Sequence, residues 1–229
     1  MTALWCVVPA AGRGTRVGGD LPKQYLSLAG RPLILHTLDR LAAHPSVAGL
    51  MVVLGADDEL WPSIDRLGGK PVLTAIGGAE RCDSVLAGLR ALPKDVAVDA
   101  FVLVHDAARP CVREADIARL IVKGIPAGGG LLGAPLRDTL KRAGSDGRSH
   151  ETEPRDHRWR AFTPQMFRRG DLSRALQSAS DAGVTVSDEA MAMERAGFSP
   201  LLVEGAEDNI KVTTAADFAL AEFLLPRTR

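Results

Sequence analysis

The stretch Leu4-Trp5-Cys6-Val7-Val8-Pro9-Ala10-Ala11-Gly12-Arg13-Gly14-Thr15-Arg16 decides the fold class. The apolar run 4–8 reads as a strand buried on both faces. The small residues and glycines after it read as a tight turn into the next element. Outward from there, apolar runs alternate with helical patterns. Residues 33–43 carry Leu35, Leu38, Leu41 and Ala42 at helical spacing, and residues 50–54 form a second strand. A short helix is expected over 59–67 and a strand over 71–76. Residues 81–92 repeat the helical spacing through Val85, Leu86, Leu89 and Leu92. The run 101–104 is a central strand, 117–121 belongs to a helix, and 131–135 is another strand. Helical patterns return at 171–182, 188–195 and 215–225. This order predicts an α/β fold: a mostly parallel sheet with helices on both faces and right-handed crossovers.

Between 137 and 160 the chain is polar and charged, with Gly144 and Gly147 in the middle. A structureless loop of that length is uncommon inside a compact domain. Thr139-Leu140-Lys141 and His157-Arg158-Trp159 are therefore expected to pair as the strands of a projecting β-arm. An arm that cannot bury itself docks on a second subunit, which predicts a homodimer.

The 229 residues fit one domain, 1–229. The formal net charge is +0, which gives no bulk attraction to nucleic acid or membrane. Cys6, Cys82 and Cys111 are scattered, odd in number and without C-x-x-C spacing, as expected of reduced thiols in a cytoplasmic protein. No signal-peptide pattern opens the chain, and no apolar stretch has the length of a membrane span.

Four segments carry chemistry. Residues 9–16 are followed by Pro22-Lys23-Gln24, so small residues and glycines let backbone N–H groups approach phosphate oxygens, while Arg16 and Lys23 supply cations for a triphosphate. The loop is neither G-x-G-x-x-G nor a Walker A loop, which disfavours a nicotinamide-dependent oxidoreductase. Val104-His105-Asp106-Ala107-Ala108-Arg109-Pro110 puts Asp106 at the C-terminal end of the central strand, where open α/β sheets bind ligands. A carboxylate there suits Mg2+ or another divalent cation shared with phosphates, and Arg109 a second phosphate. His105 reads as a structural histidine. In Glu207-Asp208-Asn209-Ile210-Lys211, Asp208 is a surface partner of the lysine or a second metal ligand, and spacing alone favours the surface pair. Gly77-Gly78 permits close backbone approach to a base or ribose, or is simply a helix entry favoured by Glu80 and Asp83. Ser187-Asp188-Glu189 reads as a helix start with acids in its first turn.

Taken together, residues 9–16 with Pro22 to Leu26, residues 77–89, Leu103 to Pro110, residues 134–142, Thr163-Pro164-Gln165, Ser187 to Ala190 and residues 204–213 resemble the 2-C-methyl-D-erythritol 4-phosphate cytidylyltransferase family. The resemblance runs from Val8 to the last helix. It implies a Rossmann-like nucleotidyltransferase core and a homodimer whose β-arms, 137–160, are exchanged; the cyclodiphosphate synthase domain fused to this activity in some bacteria is not expected in a chain of one domain. It also implies roles. Arg16, Lys23 and Lys211 are the catalytic cations. Pro9, Ala10, Ala11, Gly12, Gly78, Ser84 and Ala107 form the nucleotide pocket, and Asp106 and Asp208 hold the metal. Arg109 and Thr163, with Thr139 and Arg155 reaching in from the partner's arm, contact the polyol phosphate. The sequence departs from the family at Ala79, where an acid is common, and at the arm's tip, 143–153.

The implied reaction is in-line attack by a polyol phosphate on the α-phosphorus of CTP, with pyrophosphate leaving. An alternative acceptor, ribitol 5-phosphate, differs by a methyl group and one carbon of chain, a difference worth only about 1–3 kcal/mol in a pocket. A non-catalytic nucleotide-binding module is the reading from another class, and it expects some of Arg16, Lys23, Asp106 and Lys211 to be lost.

Overall fold

The computed structural model describes residues 3–12 and 21–227. In chain order the elements are β1 (Leu4–Pro9), β2 (Ser27–Leu28), β3 (Arg31–Pro32), α1 (Leu33–Ala43), β4 (Val47–Leu54), β5 (Arg66–Leu67), β6 (Lys70–Ile76) and α2 (Arg81–Ala91). They continue with β7 (Phe101–Val104), α3 (Glu114–Gly124), β8 (Gly129–Pro135), β9 (Leu140–Ala143), β10 (Ser149–Glu153), β11 (Trp159–Arg168), α4 (Arg169–Asp181), α5 (Glu189–Arg195), β12 (Leu201–Glu204) and α6 (Ala215–Leu224). Among the described residues one sheet runs β12-β8-β11-β7-β1-β4-β6-β5. Pairing is parallel for β1 with β4 and β7, for β4 with β6 and for β8 with β12. Only β11, antiparallel to both β7 and β8, and the short β5 depart from it.

The apolar runs are unbroken because both sheet faces are covered. Cys6, Val8, Leu50, Val52 and Leu103 pack with Ile34 and Leu38 of α1 and Ile117 and Leu120 of α3. Their neighbours in sequence, Val7, Met51, Val53, Val102 and Val104, pack with Val85 and Leu89 of α2, Leu172 and Leu176 of α4, and Met193 of α5. The period of two along each strand thus feeds two separate cores. The α/β fold expected from the alternation is the fold observed. Among the described residues no helix is long and apolar enough to cross a membrane.

Two expectations are corrected. Residues 59–67 are not helical: they run without regular structure into β5. Pro62 biases Trp61 away from the helical region, and Ser63 takes a positive φ of 52°. The arm pairs differently as well. Leu140 opposes Glu153 and Ala143 opposes Ser149, with Gly147 (φ 75°) in the turn, giving a hairpin separate from the central sheet. His157-Arg158-Trp159 do not pair with 139–141, because Trp159 is claimed by the central sheet opposite Pro135.

Helix α2 lies very close to the sheet. A Cβ on Gly88 would stand 2.6 Å from Val7 Cγ1 and 2.7 Å from Val53 Cγ2. Alanine normally gains about 1 kcal/mol over glycine inside a helix. Overpacking a tight core costs about 1–3 kcal/mol. Gly88→Ala should therefore lower unfolding stability by about 0–2 kcal/mol in urea titration instead of raising it, and a stabilised variant would show that α2 can lift off the sheet at no cost.

Candidate active site

At the C-terminal ends of β1, β6 and β7 lies a cleft of about 190 Å³. It gathers most of the residues singled out from the sequence. Pro9 ends β1 and Ala10, Ala11 and Gly12 follow it, Gly78 and Ser84 flank the start of α2, Asp106 and Ala107 follow β7, and Lys23 and Lys211 line the cleft as well. Ala79 lines it too, with only a methyl side chain to offer. Arg16 lies outside the described residues.

The walls are held by backbone. Ala10 N–H donates to Val53 O at 2.7 Å, and the buried Gln24 amide donates to Ala10 O at 2.8 Å. Opposite, a Cβ on Gly77 would meet Ser84 Oγ at 2.6 Å and Ala11 Cβ at 2.7 Å, so only glycine lets the two loops approach this closely. Glu80 and Asp83 form a capping box at the start of α2, so they serve the helix entry.

The charged centre is Asp106, with 9% of its side chain exposed. Its Oδ1 accepts from Arg81 Nε at 3.0 Å; its Oδ2 meets Lys211 Nζ at 3.0 Å and Arg109 Nε at 3.4 Å. Burial alone would raise its pKa, but Arg81, Lys211 and Arg109 outweigh burial and hold the carboxyl far below the usual carboxylate range. Lys23 Nζ donates to Val212 O at 3.1 Å, beside Lys211 in sequence. The loop bearing Lys211 is tied to the β7 exit: Val212 N–H donates to Ala108 O at 2.8 Å, and Arg109 Nη1 to Asn209 O at 2.7 Å.

Thr163 sits on β11 beside this exit, in a register break between Ala161 and Gln165. Its Oγ1 accepts from Asp106 N–H at 3.0 Å and lies 3.0 Å from His105 Nδ1. His105 Nε2 is 3.1 Å from Arg109 O, a carbonyl that can only accept. The imidazole proton therefore sits on Nε2, and the Thr163 hydroxyl donates to Nδ1. A neutral histidine satisfies both ring nitrogens and the Thr163 hydroxyl in this string of hydrogen bonds.

The remaining expected residues fall elsewhere. Arg109 is buried behind Asp106, with its guanidinium 5.3 Å from the Phe162 ring centroid. Its contacts and those of Thr163 support the site from beneath, and neither lines the cleft. Asp208 pairs with Arg113 and is also absent from the lining. Thr139 and Arg155 are exposed at the base of the hairpin.

The sequence reading overlooked Arg81 and Glu189. Arg81 lines the cleft and donates Nη1 and Nη2 to the fully buried Glu189 carboxylate at 2.6 and 3.1 Å. Their separation of 108 positions hides the pair from any local pattern. An arginine opening a helix beside a double glycine was the only local sign.

Burial, the largest influence, pushes the His105 pKa from 6.5 down to about 4. A depressed pKa contributes stability that is complete above the unfolded value and lost as pH falls through the folded one. His105 should thus cost the protein up to about 3 kcal/mol of stability between pH 6.5 and 4. Urea titrations across that window should show a steeper loss in the wild type than in His105→Gln. Equal slopes would remove His105 as the cause.

Comparison with known proteins gives a consistent picture. A family model described as 2-C-methyl-D-erythritol 4-phosphate cytidylyltransferase matches residues 4–227. A protein of that name from Stenotrophomonas maltophilia (strain K279a) is 63% identical over 226 residues, covering 98% of this chain and 97% of its own length. One from Xanthomonas oryzae pv. oryzae (strain PXO99A) is 60% identical over 227 residues, covering 98% of this chain and 83% of its own. Among solved structures, a 4-diphosphocytidyl-2C-methyl-D-erythritol synthase superposes with TM-score 0.85 at 33% identity, covering 98% of this chain and 99% of that one. The Francisella tularensis 2-C-methyl-D-erythritol 4-phosphate cytidylyltransferase gives 0.84 at 31%, covering 97% of this chain and 100% of that one.

Proposed function

The chain belongs to the 2-C-methyl-D-erythritol 4-phosphate cytidylyltransferase family and is a nucleotidyltransferase, and on that premise we propose that it transfers CMP from CTP to 2-C-methyl-D-erythritol 4-phosphate, giving CDP-methylerythritol and pyrophosphate. The observation that carries the reading is a single cleft with two unlike ends. One is a wall of backbone and small side chains, suited to a flat base; the other holds Lys23 and Lys211, suited to phosphates, beside Asp106 and its partner Arg81.

A phosphate oxygen of the polyol phosphate attacks the α-phosphorus of CTP. The new P–O bond forms as the bond to the β-phosphate breaks, and pyrophosphate leaves with the electron pair. The nucleophile is already an anion, so no base is required, in keeping with a His105 held neutral behind the site. Catalysis rests on positioning and on cations aimed at the growing negative charge. Lys23 and Lys211 meet that charge, and Arg16 is proposed to join them.

Asp106 fits a divalent cation. Its carboxylate offers about four lone-pair sites, and three contacts leave Oδ1 able to accept another partner. Among the described residues no group of three His, Cys, Asp or Glu forms an all-protein cage. Magnesium in nucleotide sites typically takes one or two carboxylates and draws its other ligands from phosphates and water. When bound it would neutralise phosphate charge. Thr139 and Arg155 lie outside their own chain's cleft, on a hairpin apart from the sheet. That placement supports a homodimer in which the arm completes the partner's acceptor site.

Two measurements test this. Pyrophosphate release with CTP and Mg2+ should be strong with methylerythritol phosphate and weak with ribitol phosphate. The reverse preference would keep the mechanism and change the acceptor. Lys23→Ala should lose roughly 100- to 1000-fold in kcat while remaining folded. Near-normal turnover would remove Lys23 from the mechanism.

A further inference from the structure

Glu189 lies on α5, does not line the cleft, and is completely buried. A buried carboxylate is costly unless fully paired. Here the pairing is complete: both oxygens take the guanidinium fork of Arg81. Arg81 then has Nε left for Asp106. The first turn of α5 is itself bolted to β11: Gln165 donates to Asp188 Oδ2 at 2.9 Å and accepts from Ala190 N–H at 2.7 Å. Asp188 caps the helix at Met191 N–H. Glu189 therefore stands on a fixed platform, and Arg81 is held from behind with its charge already balanced.

We propose that Glu189 is a positioning residue that sets the charge balance of the cleft through Arg81. With Glu189 ionised, the Arg81 pair is neutral as a unit. Asp106 keeps its appetite for a cation, and the field on the incoming triphosphate comes from Lys23 and Lys211. Without that charge, Arg81 bears on Asp106 and on the nucleotide uncompensated. The cleft then favours the bare anion and disfavours the divalent cation. The inference rests on the nucleotidyl-transfer reading of this cleft, though not on the identity of the acceptor.

A charge cycle tests it. CTP affinity is measured by calorimetry in EDTA for the wild type, Glu189→Gln, Arg81→Gln and the double variant. E189Q should bind CTP about fivefold more tightly and R81Q about fivefold more weakly, while the double variant, electrically like the wild type, should stay within about twofold of it. The Mg2+ concentration for half-maximal turnover should rise about fivefold in E189Q, opposite in sense to its CTP affinity. General loosening of the site would weaken both and would overturn the proposal. So would unchanged values in E189Q, or a double variant as weak as R81Q, which would make Arg81 a direct nucleotide contact with no call on Glu189. Should E189Q fail to fold, R81Q against the neutral double variant still decides. A wild type that binds CTP but does not turn over methylerythritol phosphate changes the acceptor and leaves the cycle readable. One that binds no CTP overturns both readings.

Discussion

The site depends on keeping one carboxylate ionised in a place that is nearly dry. Asp106 leaves β7 with its backbone buried and its side chain almost so. Burying a charge without partners costs several kcal/mol. The cost is offset by three cations from separate parts of the chain: Arg81 from the start of α2, Arg109 from the β7 exit and Lys211 from the loop after β12. That need fixes where α2 begins, how the β7 exit turns, and how the late loop folds back over it. The glycine-lined wall lies beside it, where Gly77 lets the β6–α2 loop press against Ala11.

A second, uncharged layer lies beneath. The string of hydrogen bonds from Asp106 N–H through Thr163 to His105, and on to Arg109 O, is complete with a neutral imidazole, and burial favours that form. A charged imidazolium would turn the Thr163 hydroxyl from donor to acceptor at Nδ1 and would repel Arg81 and Arg109. The layer therefore excludes positive charge under a centre already crowded with it, and it fixes the direction in which the chain leaves β7. Inserting antiparallel β11 beside β7 is what brings Thr163 there.

The sheet and its helices were legible because their signals are local. Period-two and period-3.6 apolar patterns survive wherever an element spans several residues. β11 was not legible: Pro164 argues against a central strand, and the structure tolerates it by placing it where the ladder to β8 skips from Ala161 to Gln165. β12, only four residues long, has no pattern to show. In the site, the residues before and after strand ends were found, since strand ends mark the cleft. Glu189 was not, because an acid in the first turn of a helix has a sufficient local reason in the dipole. Its partnership with Arg81 exists only after folding.

The state of the cleft before substrate arrives bears on how it acts. Lys23 has the Val212 carbonyl, Lys211 has Asp106, and Arg81 has Glu189 and Asp106. A phosphate therefore does not meet bare charges; it exchanges places with acceptors already present. Such exchange gains less than neutralising an isolated ion, but it needs little reorganisation, which is the condition under which fixed charges lower a barrier most. Exposure distinguishes the partners. The Lys211 side chain is 39% exposed, whereas Asp106 is 9% and Glu189 0% exposed. The lysine can turn from carboxylate to phosphate while the carboxylates stay in place, so the rigid half of the network sets the geometry and the exposed half carries the charge to the substrate.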